Sequence, residues 1–334
     1  MANSMDYRTL GRTGLKVSAL AFGCGDVGGL MVRGAPADRE RAVARAIELG
    51  INYLDTAPSY GSGQSERNLG VVLRALRPQV LVGTKCRLSV PHLTDVPAAL
   101  SRSVETSLEL LGIDRLDLFH LHNPIARVMG EGRLGIGQVL DAVVPAVHRL
   151  QEQGKIRFVG VTALGETGAL HRALASGAID TAQVCFNLLN PTAAHDVPEG
   201  FPGQDFDGLA LLAREQGVGT IGIRVLAGGA LSGQAARHPV AIPAVEPIAS
   251  GPDYATDVRR AGAFEPLVAQ GHAASVVEAA FRFAMSTDAM STVLIGCSDL
   301  AQLEYAAAAV AKGPLPAAAM DGVRTAWAQL ATAR

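Results

Sequence analysis

Residues 51–70 read INYLDTAPSYGSGQSERNLG, and this stretch decides the fold. A short apolar run, Ile51 to Leu54, ends on an acid, Asp55, and a phenol, Tyr60, follows five residues later. A Gly-Ser-Gly turn then leads into a helical pattern opening at Ser65. An acid and a phenol thus stand at the carboxyl end of a strand that feeds a helix, the edge where parallel α/β folds carry their chemistry. Two further strand ends bear matching groups. QVLVGTK closes on Lys85, and LDLFHLH closes on His122.

The same alternation runs through the chain. Strands are predicted over residues 17–23, 51–55, 79–84, 116–121, 156–162, 181–186, 218–223 and 292–296. They read as short continuous apolar runs, as expected of strands buried on both faces. Amphipathic helices are predicted over 37–49, 65–76, 96–111, 137–153, 166–176, 206–216, 274–285 and 299–310. Gly50, Gly112, Gly154, Gly177 and Gly217 follow helices, where a left-handed residue is wanted. Ser65 and Asp299 suit amino-terminal caps. Eight βα units predict an α/β fold, a closed (β/α)8 barrel of the TIM type. Residues 7–16, with a GRTG turn, predict an N-terminal β-hairpin over the barrel's amino-terminal end, and 317–330 an extra C-terminal helix holding the single Trp327.

The chain has 334 residues, about a third more than the ~250 typical of such barrels, and is read as a single domain over 1–334. Two connections are too long to be plain turns: 123–136, and 224–273 with its five prolines. Both leave the edge that carries Asp55, and with 26–33 they are expected to form the rim of a pocket. Hydrophobic residues make up 49% and aromatics only 4%, so the core must be aliphatic. A net charge of −2 without a basic block argues against nucleic acid or a membrane surface as partner. The opening MANSMDYRTLGRTGLK has no apolar leader core, and no stretch approaches the ~20 apolar residues of a membrane span, which predicts a cytoplasmic chain. Cys24, Cys86, Cys185 and Cys297 lie far apart and form no CxxC, so no metal site or disulfide framework is expected. Cys86, beside Lys85, is the one candidate for a reactive thiol.

Asp55, Tyr60, Lys85 and His122 make a proton-transfer set suited to hydride transfer at a carbonyl. Tyr60 would be the general acid. A free phenol titrates near ~10, and an adjacent cation lowers that value. Lowering it by two pH units asks about 3 kcal/mol of Lys85. Asp55 would hold Lys85 charged and aimed, and His122 would orient the substrate oxygen and help relay the proton. Each residue alone has an ordinary structural reading, and their coincidence on adjacent strand ends carries the assignment. His120 shares the strand parity of His122 and is read as a core histidine one layer deeper. The HxH pair is also the sole support for a metal-dependent hydrolase.

These residues resemble the aldo-keto reductase family. DTAPSYGSGQSERNLG matches its signature, VGTK and HLHNP follow in order, and YRTLGRTGLKVSALAFG, GKIRFVGVT and VLIGCSDLAQL resemble its first, fifth and eighth units. The resemblance implies a barrel that binds a nicotinamide dinucleotide without a Rossmann motif and acts on a small carbonyl or sugar, such as an aldehyde or an aldose C1 hemiacetal. It also implies Asp55, Tyr60, Lys85 and His122 as the catalytic set. Thr162, Gln183 and Asn187 would lie near the nicotinamide, with Gln183 on the carboxamide. The segment 224–233 (RVLAGGALSG), with Arg224, Leu226, Gly228 and Leu231, would wrap the pyrophosphate. Gly296, Ser298, Asp299 and Gln302 would meet the adenosine end. Thr162-Ala163 stands where the family usually has Ser-Asn, Ile223 where it usually has an aromatic, and Ser298 where it often has an arginine for the 2′-phosphate of NADP. The cofactor is therefore NADP(H) or NAD(H), with the preference open. Some relatives of this type are non-catalytic, dinucleotide-binding regulatory subunits, the alternative reading.

Overall fold

The computed structural model describes residues 5–333; residues 1–4, part of the opening stretch read above as free of a leader, and residue 334 lie outside it. Parallel strands β1 (Leu20–Gly23), β2 (Tyr53–Asp55), β3 (Leu81–Cys86), β4 (Leu116–Leu121), β5 (Ile156–Thr162), β6 (Thr181–Cys185), β7 (Gly219–Ile223) and β8 (Thr292–Gly296) close into a barrel in sequence order. Each is followed by a helix, the main ones being Pro36–Glu48, Gln64–Leu76, Val96–Leu111, Val144–Glu152, Thr167–Ala175, Leu209–Glu215, Val276–Ala284 and Leu300–Ala311. The protein is a (β/α)8 barrel.

Two hydrophobic layers hold it. The larger lies between strands and helices. A smaller plug inside the barrel joins Leu10, Val17, Ala21, Tyr53, Leu118 and Ile221. Leu10 and Val17 come from the N-terminal hairpin, whose strands Tyr7–Thr9 and Lys16–Ser18 pair antiparallel and seal the amino-terminal end. The C-terminal helix, Ala317–Thr332, is pinned by the Trp327 indole donating to the Leu188 carbonyl at 3.0 Å.

Several boundaries differ from the sequence reading, each for a local reason. The predicted strand 17–23 is two: Lys16–Ser18 belongs to the hairpin, and only Leu20–Gly23 joins the barrel. The strand predicted at 79–84 extends over Leu81–Cys86, which puts Lys85 within it, facing inward. Ser65 is not the cap of its helix. Gly63 is, and the Ser65 hydroxyl instead donates to the Cys24 carbonyl at 2.8 Å. The helix predicted over 137–153 opens into a π-helical turn at Val139–Val143 just before Pro145, which cannot donate to the ladder and would crowd the preceding carbonyls. The helix predicted from 206 starts at Leu209, because Asp207 and Gly208 have φ of 50° and 66°. The long segment 224–273 contains a 3-10 turn at Ala227–Ser232 and a helix at Tyr254–Ala261 capped by Asp253. Among the described residues no helix is long and apolar enough to cross a membrane.

Glycines give the barrel interior room for polar side chains. A Cβ at Gly160 would lie 2.2 Å from the His120 ring and 2.5 Å from Thr181 Oγ1. Gly160→Ala should therefore destabilise the fold by about 1–3 kcal/mol, read as a lower denaturation midpoint with an unchanged urea slope. An unaltered midpoint would show that the interior yields there.

Candidate active site

Barrel parity builds the site. Alternate residues of a strand face the same side, so Tyr53 and Asp55 of β2, Gly83 and Lys85 of β3, His120 of β4 and Gln183 of β6 all project inward. Register places Asp55 opposite Gly83, and Lys85 opposite His120. His122 follows β4 directly, its amide donating to the Cys86 carbonyl at 2.8 Å.

Lys85 and Asp55 form an ion pair, each 1% exposed. The ammonium also donates to the Thr56 carbonyl at 2.8 Å and stands 4.9 Å from the centre of the Tyr60 ring. Asp55 takes Lys85 on Oδ1. Its Oδ2 accepts from the Tyr53 hydroxyl at 2.8 Å and from the Gln183 amide at 2.7 Å. The His122 ring stands edge-on to Tyr60, centroids 5.9 Å apart. The four predicted residues thus converge at the carboxyl edge of the barrel.

Burial and charge set their protonation. Burial pulls Lys85 down, but Asp55 and Tyr60 outweigh it, and its pKa stands above the ordinary value. For Tyr60 burial dominates and raises the pKa, with Lys85 opposing and Asp55 adding to the rise. This corrects the expectation of a net lowering by Lys85. In a dry site the cost of burying phenolate exceeds the help of one shared ammonium. His122 falls to about 3, through burial and then the Lys85 charge. A neutral imidazole suits the role of orienting an oxygen; it does not suit the proton relay predicted for it. His120 also falls to about 3, mainly by burial; its Nε2 meets Thr181 Oγ1 at 3.1 Å, as befits a core histidine. Among the described residues no group of three or more His, Cys, Asp or Glu is arranged to hold a metal.

The thiols are buried. Cys86 follows Lys85 in β3 and so faces the helical layer, and burial raises its pKa. Burial thus opposes the activation expected from Lys85. Burial pushes Cys185 and Cys297 up to about 12.

A cavity of about 880 Å³ runs from these groups to the β8 turn. Asp55, Tyr60, His122, Thr162 and Gln183 line one end, and Gly296, Ser298, Asp299 and Gln302 the other, with Arg224, Leu226 and Gly228 between. Asp299 caps Leu300–Ala311 by accepting from Gln302 N at 2.8 Å, so that helix aims its amino terminus at this region. Two predicted contacts lie off the wall. Asn187 donates to the Arg224 carbonyl at 2.9 Å and accepts from the Leu189 and Asn190 amides, while Leu231 is core. Gln183, predicted to bond a carboxamide, has its amide nitrogen on Asp55 instead. The 123–136 segment, expected at the rim, also stays off the wall, with Ile125–Ala126 paired to Leu134–Gly135.

Sequence reasoning gave Arg237 no role of its own, and Gly28 and Gly229 none beyond their places in the 26–33 rim and the 224–233 segment. A Cβ at Gly28 would lie 2.5–2.6 Å from the backbone of Gly296 and Cys297, so the β1 and β8 loops touch there. Arg237 ties the long segment across the cavity, donating to the carbonyls of Ile242, Gly228 and Val27 at 2.7–3.1 Å. Its distant partners left no local signal; the paired glycines GG at 28–29 and 228–229 were the visible hint.

His120 and the half-buried His122 have folded pKa values below their unfolded value of 6.5, so the unfolded chain binds protons that the folded chain refuses. Their contribution to stability is complete above pH 6.5 and is lost as pH falls toward about 3. Urea denaturation at pH 7 and 4.5 should show this loss, and His122→Gln should reduce it. Equal losses in both proteins would contradict the assignment.

The chain matches the family model "Aldo/keto reductase family" over residues 19–328. It is 30% identical over 315 residues to L-galactose dehydrogenase of Arabidopsis thaliana, covering 92% of this chain and 88% of that protein. It is 31% identical over 212 residues to D-threo-aldose 1-dehydrogenase of Pseudomonas sp, covering 55% of this chain and 62% of that protein. Among solved structures it superposes on aldo-keto reductase AKR11C1 from Bacillus halodurans, holo form, with a TM-score of 0.73 at 23% identity, over 97% and 96% of the two chains. Signature, barrel and family match coincide, and the chain belongs to the aldo/keto reductase family.

Proposed function

We propose that the protein is an NAD(H)-dependent aldose dehydrogenase that oxidises the anomeric hemiacetal of a sugar to a lactone and reduces reactive aldehydes in the opposite direction. The observation that carries the reaction class is the convergence of Tyr60, the Lys85–Asp55 ion pair and His122 at one end of a cavity long enough to be lined by the β8 turn at the other. The sugar assignment is supported by the names of the two relatives.

The residues fit a dinucleotide. Gly228 and Gly229 have φ of 72° and 110°, and a Cβ at Gly228 would lie 2.6 Å from Val245 and 3.0 Å from Arg224, so the cradle is closed to side chains. Arg224, on the cavity wall, offers positive potential for phosphates. When bound, a nicotinamide dinucleotide supplies the hydride acceptor or donor. Tyr60 Oη takes the proton of the C1 hydroxyl as the C1–H bond breaks, and returns it to the oxygen in reduction. Lys85 stabilises the phenolate, Asp55 keeps Lys85 charged and fixed, and neutral His122 donates to the substrate oxygen. Because burial holds the phenol protonated, reduction finds its acid ready at neutral pH, and oxidation accelerates as pH rises.

The preference for NAD(H) rests on the adenosine end. Ser298 donates to the Gly28 carbonyl at 2.7 Å, and the Asp299 carboxylate, 41% exposed, stands beside it. A carboxylate there repels a 2′-phosphate and accepts from a ribose hydroxyl. Of the basic side chains lining the cavity, the Arg237 guanidinium donates to three carbonyls, and the His238 ring faces Asp299 at 3.6 Å.

Tyr60→Phe should lower turnover of aldehyde and sugar about 10²–10⁴-fold with dinucleotide affinity unchanged; retained turnover would place the proton donor elsewhere. Ser298→Arg should raise the NADP-to-NAD ratio of kcat/KM by about tenfold or more. An unchanged ratio would move the 2′-phosphate site away from this turn. Tight dinucleotide binding without turnover of any aldehyde or sugar would favour a regulatory role.

A further inference from the structure

Tyr53 is the largest wholly buried side chain, and it lies one layer beneath the cavity floor. It shares strand parity with Asp55, and its hydroxyl donates to Asp55 Oδ2 at 2.8 Å, beside the Gln183 amide at 2.7 Å. The neighbouring strand, β3, leaves it a slot. A Cβ at Gly83 would stand 2.6 Å from the Tyr53 hydroxyl oxygen and 3.0 Å from its ring. If packing alone were at stake, phenylalanine would fill the space without a buried hydroxyl to satisfy.

We propose that Tyr53 is a positioning residue of the reaction, its hydroxyl holding Asp55 against Lys85 and so setting how strongly Lys85 acts on Tyr60. The inference rests on the reading of Tyr60 as proton donor and acceptor. The charged and titratable groups facing Tyr60 are Lys85 of β3, Asp55 of β2, His122 after β4 and Arg224 after β7, with Tyr53 beneath. Asp55 raises the Tyr60 pKa, whereas Lys85 and Arg224 lower it. The hydrogen that Tyr53 donates offsets part of the Asp55 charge. Without it, that charge bears harder on Tyr60 and draws the ammonium toward itself, and both effects hold the phenol proton more tightly. Tyr53 keeps its own proton, because burial and then Asp55 lift it well above the ordinary phenol value.

The test is the pH profile of kcat for sugar or alcohol oxidation in the full-length chain. In Tyr53→Phe the rising limb should move to higher pH by about half a unit to one unit, with KM for substrate and dinucleotide within about twofold of wild type. Gly83→Ala should give a shift of the same sign by displacing the hydroxyl, and should add no further shift in the Tyr53→Phe background. If Tyr53→Phe does not fold, Gly83→Ala alone decides. A lowered melting temperature with an unmoved limb would reduce Tyr53 to packing and overturn the proposal. Should the wild-type protein turn over no substrate, the hydride-transfer reading fails separately. The tyrosinate absorbance step that disappears in Tyr60→Phe then reads the same shift, and its failure to move in Tyr53→Phe overturns the inference.

Discussion

The Lys85–Asp55 ion pair, sealed inside the barrel, is the constraint on which the site depends. An isolated charge there would be prohibitive. The pair persists because each partner has further polar contacts: Lys85 donates to Asp55 and the Thr56 carbonyl and stands 4.9 Å from the centre of the Tyr60 ring, and Asp55 accepts from Lys85, Tyr53 and Gln183. Removing one partner of such a pair typically costs about 3–5 kcal/mol, since the other is left uncompensated. The same rigidity that makes the pair tolerable also fixes an ammonium against the Tyr60 phenol. Stability and reactivity are thus set by one arrangement.

That arrangement is permitted by what is missing from neighbouring strands. Gly83 leaves the volume Tyr53 occupies, and Gly160 leaves the volume of the His120 ring. A barrel of bulky aliphatic layers would have no room for a phenol, a lysine and an imidazole at successive levels. The hydrophobic plug below, closed by Leu10 and Val17 of the hairpin, keeps water from the ion pair's lower side.

Much of this was legible in the chain. The period of the apolar runs and the capping residues gave the βα units; Asp55, Lys85 and His122 stood out because each ended a run, and Tyr60 because it followed Asp55 by five residues. The glycines after helices take positive φ as expected, 68° at Gly112 and 73° at Gly154. What failed to show was long-range. The balance between burial and Lys85 at Tyr60 depends on how dry the closed site is, which no local pattern carries. Gln183 lines the cavity, and its amide also donates to Asp55, a partner set by register across the barrel. Tyr53 reads as one more apolar strand residue, because the room that Gly83 of the neighbouring strand leaves for its side chain has no local signal. The 224–273 segment, almost without periodicity, is organised by Arg237 and its three carbonyls, partners as far away as Val27.

The central claim is that a buried ammonium held by Asp55 makes the Tyr60 proton available to substrate. Its most direct measurement is the single-turnover rate of aldehyde reduction by folded Lys85→Met protein with dinucleotide bound, against wild type. The account predicts a fall of about 10²-fold or more with dinucleotide affinity retained. A rate within about threefold of wild type would contradict it, because the phenol would then be shown to act without the cation.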